Sequence, residues 1–79
     1  MQERNVTVAT NRNGPITWYA RGTLYRLRPL GQGRPPLLYA TDPTGYARVT
    51  KAPLSDDDVA RWAELPLAER TARAAELFR

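Results

Sequence analysis

The chain has 79 residues, of which 42% are hydrophobic and 25% charged, and its formal net charge is +4. This length suits one domain over residues 1–79 with a single small core, and the hydrophobic content is too high for a disordered tail. The chain contains no cysteine and no histidine. Disulfides and thiolate catalysis are therefore excluded, and the most common zinc ligand and general base are missing, so we expect a non-catalytic protein without metal or cofactor.

The first half of the chain is predicted to form β-strands. The segment NVTVAT (5–10) alternates between its two faces as a strand does, and Asn13-Gly14 favours a chain reversal after it. The next segment, ITWYARGTLYRLR (16–28), fits either one long strand or two strands joined at Arg21-Gly22. The sequence leaves these two alternatives open.

The segment PLGQGRPP (29–36) is predicted to be a loop, because its prolines cannot supply a regular ladder of backbone donors. It is followed by LLYAT (37–41), which is apolar at both odd and even positions and predicts an interior strand packed on both faces. The tetrapeptide DPTG (42–45) suits a type I turn. The last strand, YARVTK (46–51), places Tyr46 and Arg48 on one face and Ala47 and Val49 on the other.

The C-terminal segment predicts two short helices. Ser55 is placed to cap a helix that begins at Asp56, with Asp58 at the third helical position. Pro66 interrupts the apolar stripe and suits the first turn of a helix, so we expect two helices that meet near Leu65. In the second helix, Glu69 is spaced to pair with Arg73. The outward face of that helix is predicted to carry Glu69, Arg70, Arg73 and Glu76.

These elements predict an α+β fold. A small antiparallel sheet of four or five strands, from about residue 5 to residue 52, is expected to carry both C-terminal helices (55–79) on one of its faces. The core is predicted to include Val6, Val8, Ile16, Trp18, Leu27, Leu38, Val49, Leu54, Val59, Trp62, Leu67 and Phe78.

Charge is distributed unevenly between the two halves of the chain. Up to Leu54 there are eight basic and two acidic side chains, and from Ser55 onward there are four basic and six acidic ones. A basic β-sheet surface of this kind is expected to attract an anionic partner. The residues predicted to form that surface are Arg21, Arg26, Arg28, Arg48 and Lys51, with Tyr46 or Tyr19 available for stacking.

Two partner classes stay open for such a binding module. One is nucleic acid, because arginine beside exposed aromatic rings can hold phosphates and stack on bases. The other is protein, through self-association or assembly with another chain at a sheet edge or at the Phe78 end of the last helix. A third reading, a histidine-free ribonuclease, would use Arg48, Lys51 and Tyr46, but no spacing selects this set. No membrane or small-molecule partner is inferred.

Two short motifs are better explained by structure than by ligand binding. The run Asp56-Asp57-Asp58 is read as helix N-terminal charge, because adjacent helical side chains diverge. Gly31-Gln32-Gly33 lacks the context of a phosphate-binding loop.

The first residues are polar and no long apolar run follows, so we expect a cytoplasmic protein or one carried in a particle.

Overall fold

The computed structural model describes residues 15–79, which form four strands and two helices. The strands are β1 (Ile16–Ala20), β2 (Thr23–Arg28), β3 (Leu37–Thr41) and β4 (Ala47–Lys51), and the helices are α1 (Asp56–Trp62) and α2 (Leu67–Leu77). All neighbouring strands are antiparallel, in the order β1-β2-β3-β4. The α+β prediction is confirmed. The predicted strand over residues 5–10, its core residues Val6 and Val8, and the reversal at Asn13-Gly14 lie outside the described residues.

The segment from Ile16 to Arg28 is a hairpin rather than one long strand. Ala20 pairs with Thr23, so only Arg21 and Gly22 form the connection. Both residues have positive φ angles, 54° and 82°. A two-residue turn with this conformation matches the twist of the flanking strands, which explains why the chain reverses here.

The predicted turn between β3 and β4 is confirmed. The Asp42 carbonyl accepts a hydrogen bond from the Gly45 amide at 2.9 Å. The Asp42 carboxylate accepts further bonds from the amide and hydroxyl of Thr44 and from the Tyr46 amide. These bonds, the Thr44 hydroxyl first among them, lower the pKa of Asp42. Gly45 has a φ of 92°, a conformation that glycine adopts without steric cost.

The predicted N-terminal cap of α1, formed by Ser55 and Asp58, is present. The Ser55 hydroxyl accepts a hydrogen bond from the Asp58 amide, and the Asp58 carboxylate accepts one from the Ser55 amide. This capping box lowers the pKa of Asp58, chiefly through the bond from the Ser55 amide. The chain leaves α1 after Trp62 and enters α2 after Pro66, so the prediction of two helices is confirmed.

The core lies between the sheet and the two helices. Trp18 on β1 is buried, and its ring stacks on Tyr25 of β2 with centroids 5.2 Å apart. The Trp18 indole N–H donates a hydrogen bond to the Thr71 hydroxyl on α2 at 3.1 Å. The predicted core residues that the structure buries are Ile16, Trp18, Leu27, Leu38, Val59 and Trp62. Leu54 and Phe78 are partly buried against them.

Two predicted core residues are exposed. Val49 is 55% exposed and Leu67 is 36% exposed. The pairing of Tyr39 with Val49 and of Ala40 with Arg48 turns Arg48 towards the helices and Val49 away from them. The prediction gave the right alternation along β4 but assigned the wrong face to the core. Leu67 is the first residue of α2 and lies where the helix leaves the core.

Arg70 is the main residue whose position the sequence did not reveal. We predicted that it faces solvent, but it is only 2% exposed. Its guanidinium group donates hydrogen bonds to the carbonyls of Ala63 at 3.2 Å and Leu65 at 2.8 Å, at the end of α1. The guanidinium carbon lies 5.1 Å from the centre of the Trp18 ring. Burial lowers the pKa of Arg70, and the charge is used to satisfy carbonyls that a helix end leaves without donors.

Replacing Arg70 should therefore cost more than replacing an exposed arginine of the same helix. Arg70→Met keeps much of the side-chain volume but removes the donors to Ala63 and Leu65, and we expect the free energy of unfolding to fall by about 1–3 kcal/mol. The matched control is Arg73→Met, which breaks the exposed 2.9 Å pair with Glu69 and should cost about 0.5 kcal/mol. Urea denaturation followed by tryptophan fluorescence measures both. Equal small losses would contradict the role assigned to Arg70.

The two capped carboxylates also predict a pH dependence. Asp42 and Asp58 have pKa values below those of the unfolded chain, so their stabilising contribution is present at neutral pH and is lost as the pH falls below about 4. We expect the urea midpoint to drop between about pH 5 and about pH 3. In Asp42→Asn/Asp58→Asn, which keeps the acceptors but cannot titrate, the drop should be smaller. An identical drop in the variant would show that other carboxylates cause it.

Candidate functional site

One face of the sheet carries α1 and α2, and no helix of residues 15–79 packs on the other. We call this second surface the open face. Opposite residues of paired strands share a face, so the register defines its members. They are Thr17, Tyr19, Leu24, Arg26, Arg28, Leu37, Tyr39, Thr41, Ala47, Val49 and Lys51.

The charged side chains of the open face are all basic. They are Arg26, Arg28 and Lys51, and each is exposed. Within the described part of the chain, every acidic residue lies either in the turn at Asp42 or after Ser55. Two ion pairs occur within residues 15–79. Asp58 pairs with Arg61 inside α1, and Glu69 pairs with Arg73 inside α2. The helical carboxylates therefore do not neutralise the open face.

The three basic side chains lie close together at one end of the sheet. Arg26 and Arg28 are two residues apart on β2, which separates their Cα atoms by about 7 Å. Arg28 pairs with Leu37, and Leu37 pairs with Lys51. Arg28 and Lys51 are thus two strands apart, at about 10 Å. Positive charge concentrated over this distance attracts a partner that carries several negative charges.

Two tyrosines complete the open face. Tyr39 is half-buried near its centre, opposite Arg26 on β2 and Val49 on β4. Tyr19 is 62% exposed on β1. Trp18 and Tyr25, by contrast, stack on each other on the helix side. The sequence analysis did not select Tyr39 as a binding residue, because its segment was expected to pack on both faces. The available signal was that Tyr39 alternates with Leu38 and Ala40, which are buried.

The structure brings together only part of the predicted surface. Arg26, Arg28, Lys51 and Tyr19 lie on the open face, and Arg21 lies in the turn between β1 and β2. Arg48 and Tyr46 are on the helix side, which corrects their assignment to the same surface. The Arg48 guanidinium carbon lies 4.6 Å from the centre of the Phe78 ring, so this arginine is held against α2. Lys51 is consequently on the opposite face from Arg48 and Tyr46, and the set suspected for a ribonuclease does not converge.

The helix side also has a shallow groove of about 580 Å³ between α2 and the β1–β2 hairpin. Ala68, Ala72 and Ala75 line one wall of this groove, and Thr23 and Tyr25 line the other. No group of acidic side chains that could hold a metal ion occurs within residues 15–79. Within the same residues, neither helix has the length and apolar character required to cross a membrane.

Comparison of the chain with protein-family models, with curated proteins and with solved structures gave no match. The function must therefore be argued from the residues of the open face.

The assignment of faces on β4 can be tested with two valines. Val49 is 55% exposed and Val59 is 1% exposed. We expect Val49→Ala to change the free energy of unfolding by less than about 0.5 kcal/mol. Val59→Ala removes buried methyl groups and should cost about 1–3 kcal/mol. Chemical denaturation measures both, and a comparable cost for the two substitutions would place Val49 in the core after all.

Proposed function

We propose that the protein is a small non-catalytic binding module, and that the open face docks an anionic partner, a nucleic acid. The observation that supports this proposal is the concentration of Arg26, Arg28 and Lys51 on a face without acidic residues among residues 15–79. Phosphate backbones are bound mainly through such uncompensated lysine and arginine side chains.

The location of the acidic residues also favours this proposal. Their positions after Ser55 and in the turn at Asp42 leave the open face as the uniformly basic side of the sheet. A protein with separated charge presents its basic side to a polyanion and its acidic side to solvent, which orients the encounter. The pairing of Asp58 with Arg61 and of Glu69 with Arg73 keeps these charges on the helical side.

Protein association through the β4 edge is the second candidate function. β4 is at the edge of the sheet formed by residues 15–79, and it exposes Val49. A free edge strand can add a strand from another chain. However, β4 carries Arg48 and Lys51 and is followed by Pro53, and basic side chains and proline are features that prevent edge pairing. These residues favour the open face over the edge as the binding surface.

The proposal predicts a salt-dependent interaction that depends on the position of the charges. Short polyuridylate and heparin should both bind at low ionic strength, and with three phosphate contacts the slope of log affinity against log salt should be about −2 for the single strand. Arg26→Ala/Arg28→Ala should flatten that slope to about −0.7, because one phosphate contact remains. Fluorescence anisotropy of labelled probes measures these affinities.

The matched control is Arg61→Ala/Arg73→Ala, which removes the same charge from the helices. We expect it to bind nearly as well as the unmodified protein, because neither arginine is on the open face. Equal weakening by both double variants would mean that net charge alone drives binding. Failure of every polyanion to bind at low salt, together with a dimeric mass in sedimentation experiments, would favour association through β4.

A further inference from the structure

The open face is not a purely electrostatic surface. Beside its basic cluster it exposes or partly exposes a set of apolar and aromatic side chains. These are Tyr19, Leu24, Leu37, Tyr39 and Val49. A partner that offered only phosphates would leave this apolar area without a complementary group. The chemistry of the face therefore suits a partner that combines negative charge with flat apolar groups.

Nucleic-acid bases are such groups, but they are accessible only in a single strand. In a duplex the bases are stacked on one another, and proteins reach their edges by inserting a helix or a two-stranded ribbon into a groove. The open face is the side of a four-stranded sheet, and it carries one exposed ring, Tyr19, and one half-buried ring, Tyr39. A surface of this shape can stack unpaired bases on aromatic rings.

The spacing of the aromatic and basic groups fits an extended strand. Tyr39 is directly opposite Arg26 on the neighbouring strand, so a base on the ring and its phosphate on the guanidinium group are within reach of each other. Tyr19 is two strands and two residues away from Tyr39, a distance of about 12 Å between Cα atoms. Bases stacked as in a duplex are about 3.4 Å apart, so a strand that used both rings must be unstacked and must cross the sheet diagonally.

A hydroxyl group lies two residues from each ring, on the same face of the same strand. Thr17 neighbours Tyr19 on β1 and Thr41 neighbours Tyr39 on β3, with Cα atoms about 7 Å apart. A hydroxyl group can donate to and accept from the ribose 2′-hydroxyl, the group that distinguishes RNA from DNA. We propose that the open face binds single-stranded RNA, with bases stacked on Tyr39 and Tyr19 and phosphates held by the basic cluster. This inference rests on the proposed function and specifies its partner.

The test compares four labelled probes by fluorescence anisotropy: short polyuridylate, the matching polydeoxythymidylate, a duplex RNA and heparin. Polyuridylate should bind most tightly. Tyr39→Leu and Tyr19→Leu should each weaken its binding by at least about fivefold, because a stacked base contributes strongly to affinity. Heparin binding should be unchanged in both variants. Tyr46→Leu is the matched control, since Tyr46 is 66% exposed but lies on the helix side, and it should bind polyuridylate as the unmodified protein does.

A measurement on the unmodified protein covers the case in which Tyr39→Leu does not fold. Ring resonances of Tyr19 and Tyr39 should shift on addition of polyuridylate and stay in place on addition of heparin, while those of Tyr25 and Tyr46 stay in place with both. If polyuridylate, duplex RNA and heparin bind with equal affinity and no ring resonance shifts, the stacking inference is overturned. The docking of polyanions then stays intact. Equal affinity for polydeoxythymidylate would overturn the choice of RNA. Absence of binding to all four probes would overturn the proposed function itself.

Discussion

The packing of α1 and α2 on the sheet depends on the contacts between α2 and Trp18. This indole is buried between the sheet and the helices, stacks on Tyr25 and lies 6.3 Å from the ring of Trp62. Two consecutive residues of α2 contact it: Thr71 accepts its N–H, and the guanidinium group of Arg70 lies against its ring. Because Arg70 also donates to the carbonyls at the end of α1, it connects α1, α2 and the sheet at Trp18. Both helices are thereby committed to one face.

That arrangement leaves the open face without a helix. Residues 15–79 contain two short helices with which to cover the sheet, and these suffice for one side only. The uncovered side must tolerate water, yet its strands also need β-branched and aromatic residues to form. Arg26, Arg28 and Lys51 keep this side compatible with water. Tyr19, Tyr39 and Val49 supply the aromatic and β-branched side chains. The mixed character of the open face follows from these two requirements, and it is also the character of a surface that binds phosphates and bases.

Local chemistry was enough to predict most of the architecture. The turn at Asp42, the capping box at Ser55 and the break at Pro66 each depend on residues that are adjacent in sequence, so their signals are present in the sequence itself. What failed was the choice between faces. Alternation shows that Arg48 and Val49 point in opposite directions, but only the pairing with β3 decides which direction leads to the core. Arg70 was assigned to solvent together with the other charged residues of α2. Its partners are the carbonyls of Ala63 and Leu65, and Pro66 predicts a break there without predicting the angle at which the two helices meet.

The size of the open face limits what it can do alone. Between the axes of the outer strands, and over about five residues per strand, the backbone of the open face measures roughly 14 Å by 17 Å. Three cations also provide only a modest electrostatic contribution at physiological salt. In the proposed binding mode, discrimination between partners comes from Tyr39 and Tyr19, because base stacking does not weaken with ionic strength as phosphate contacts do. In that mode several copies bound along one strand would hold it more firmly than a single copy, since each bound copy adds contacts to the same polymer.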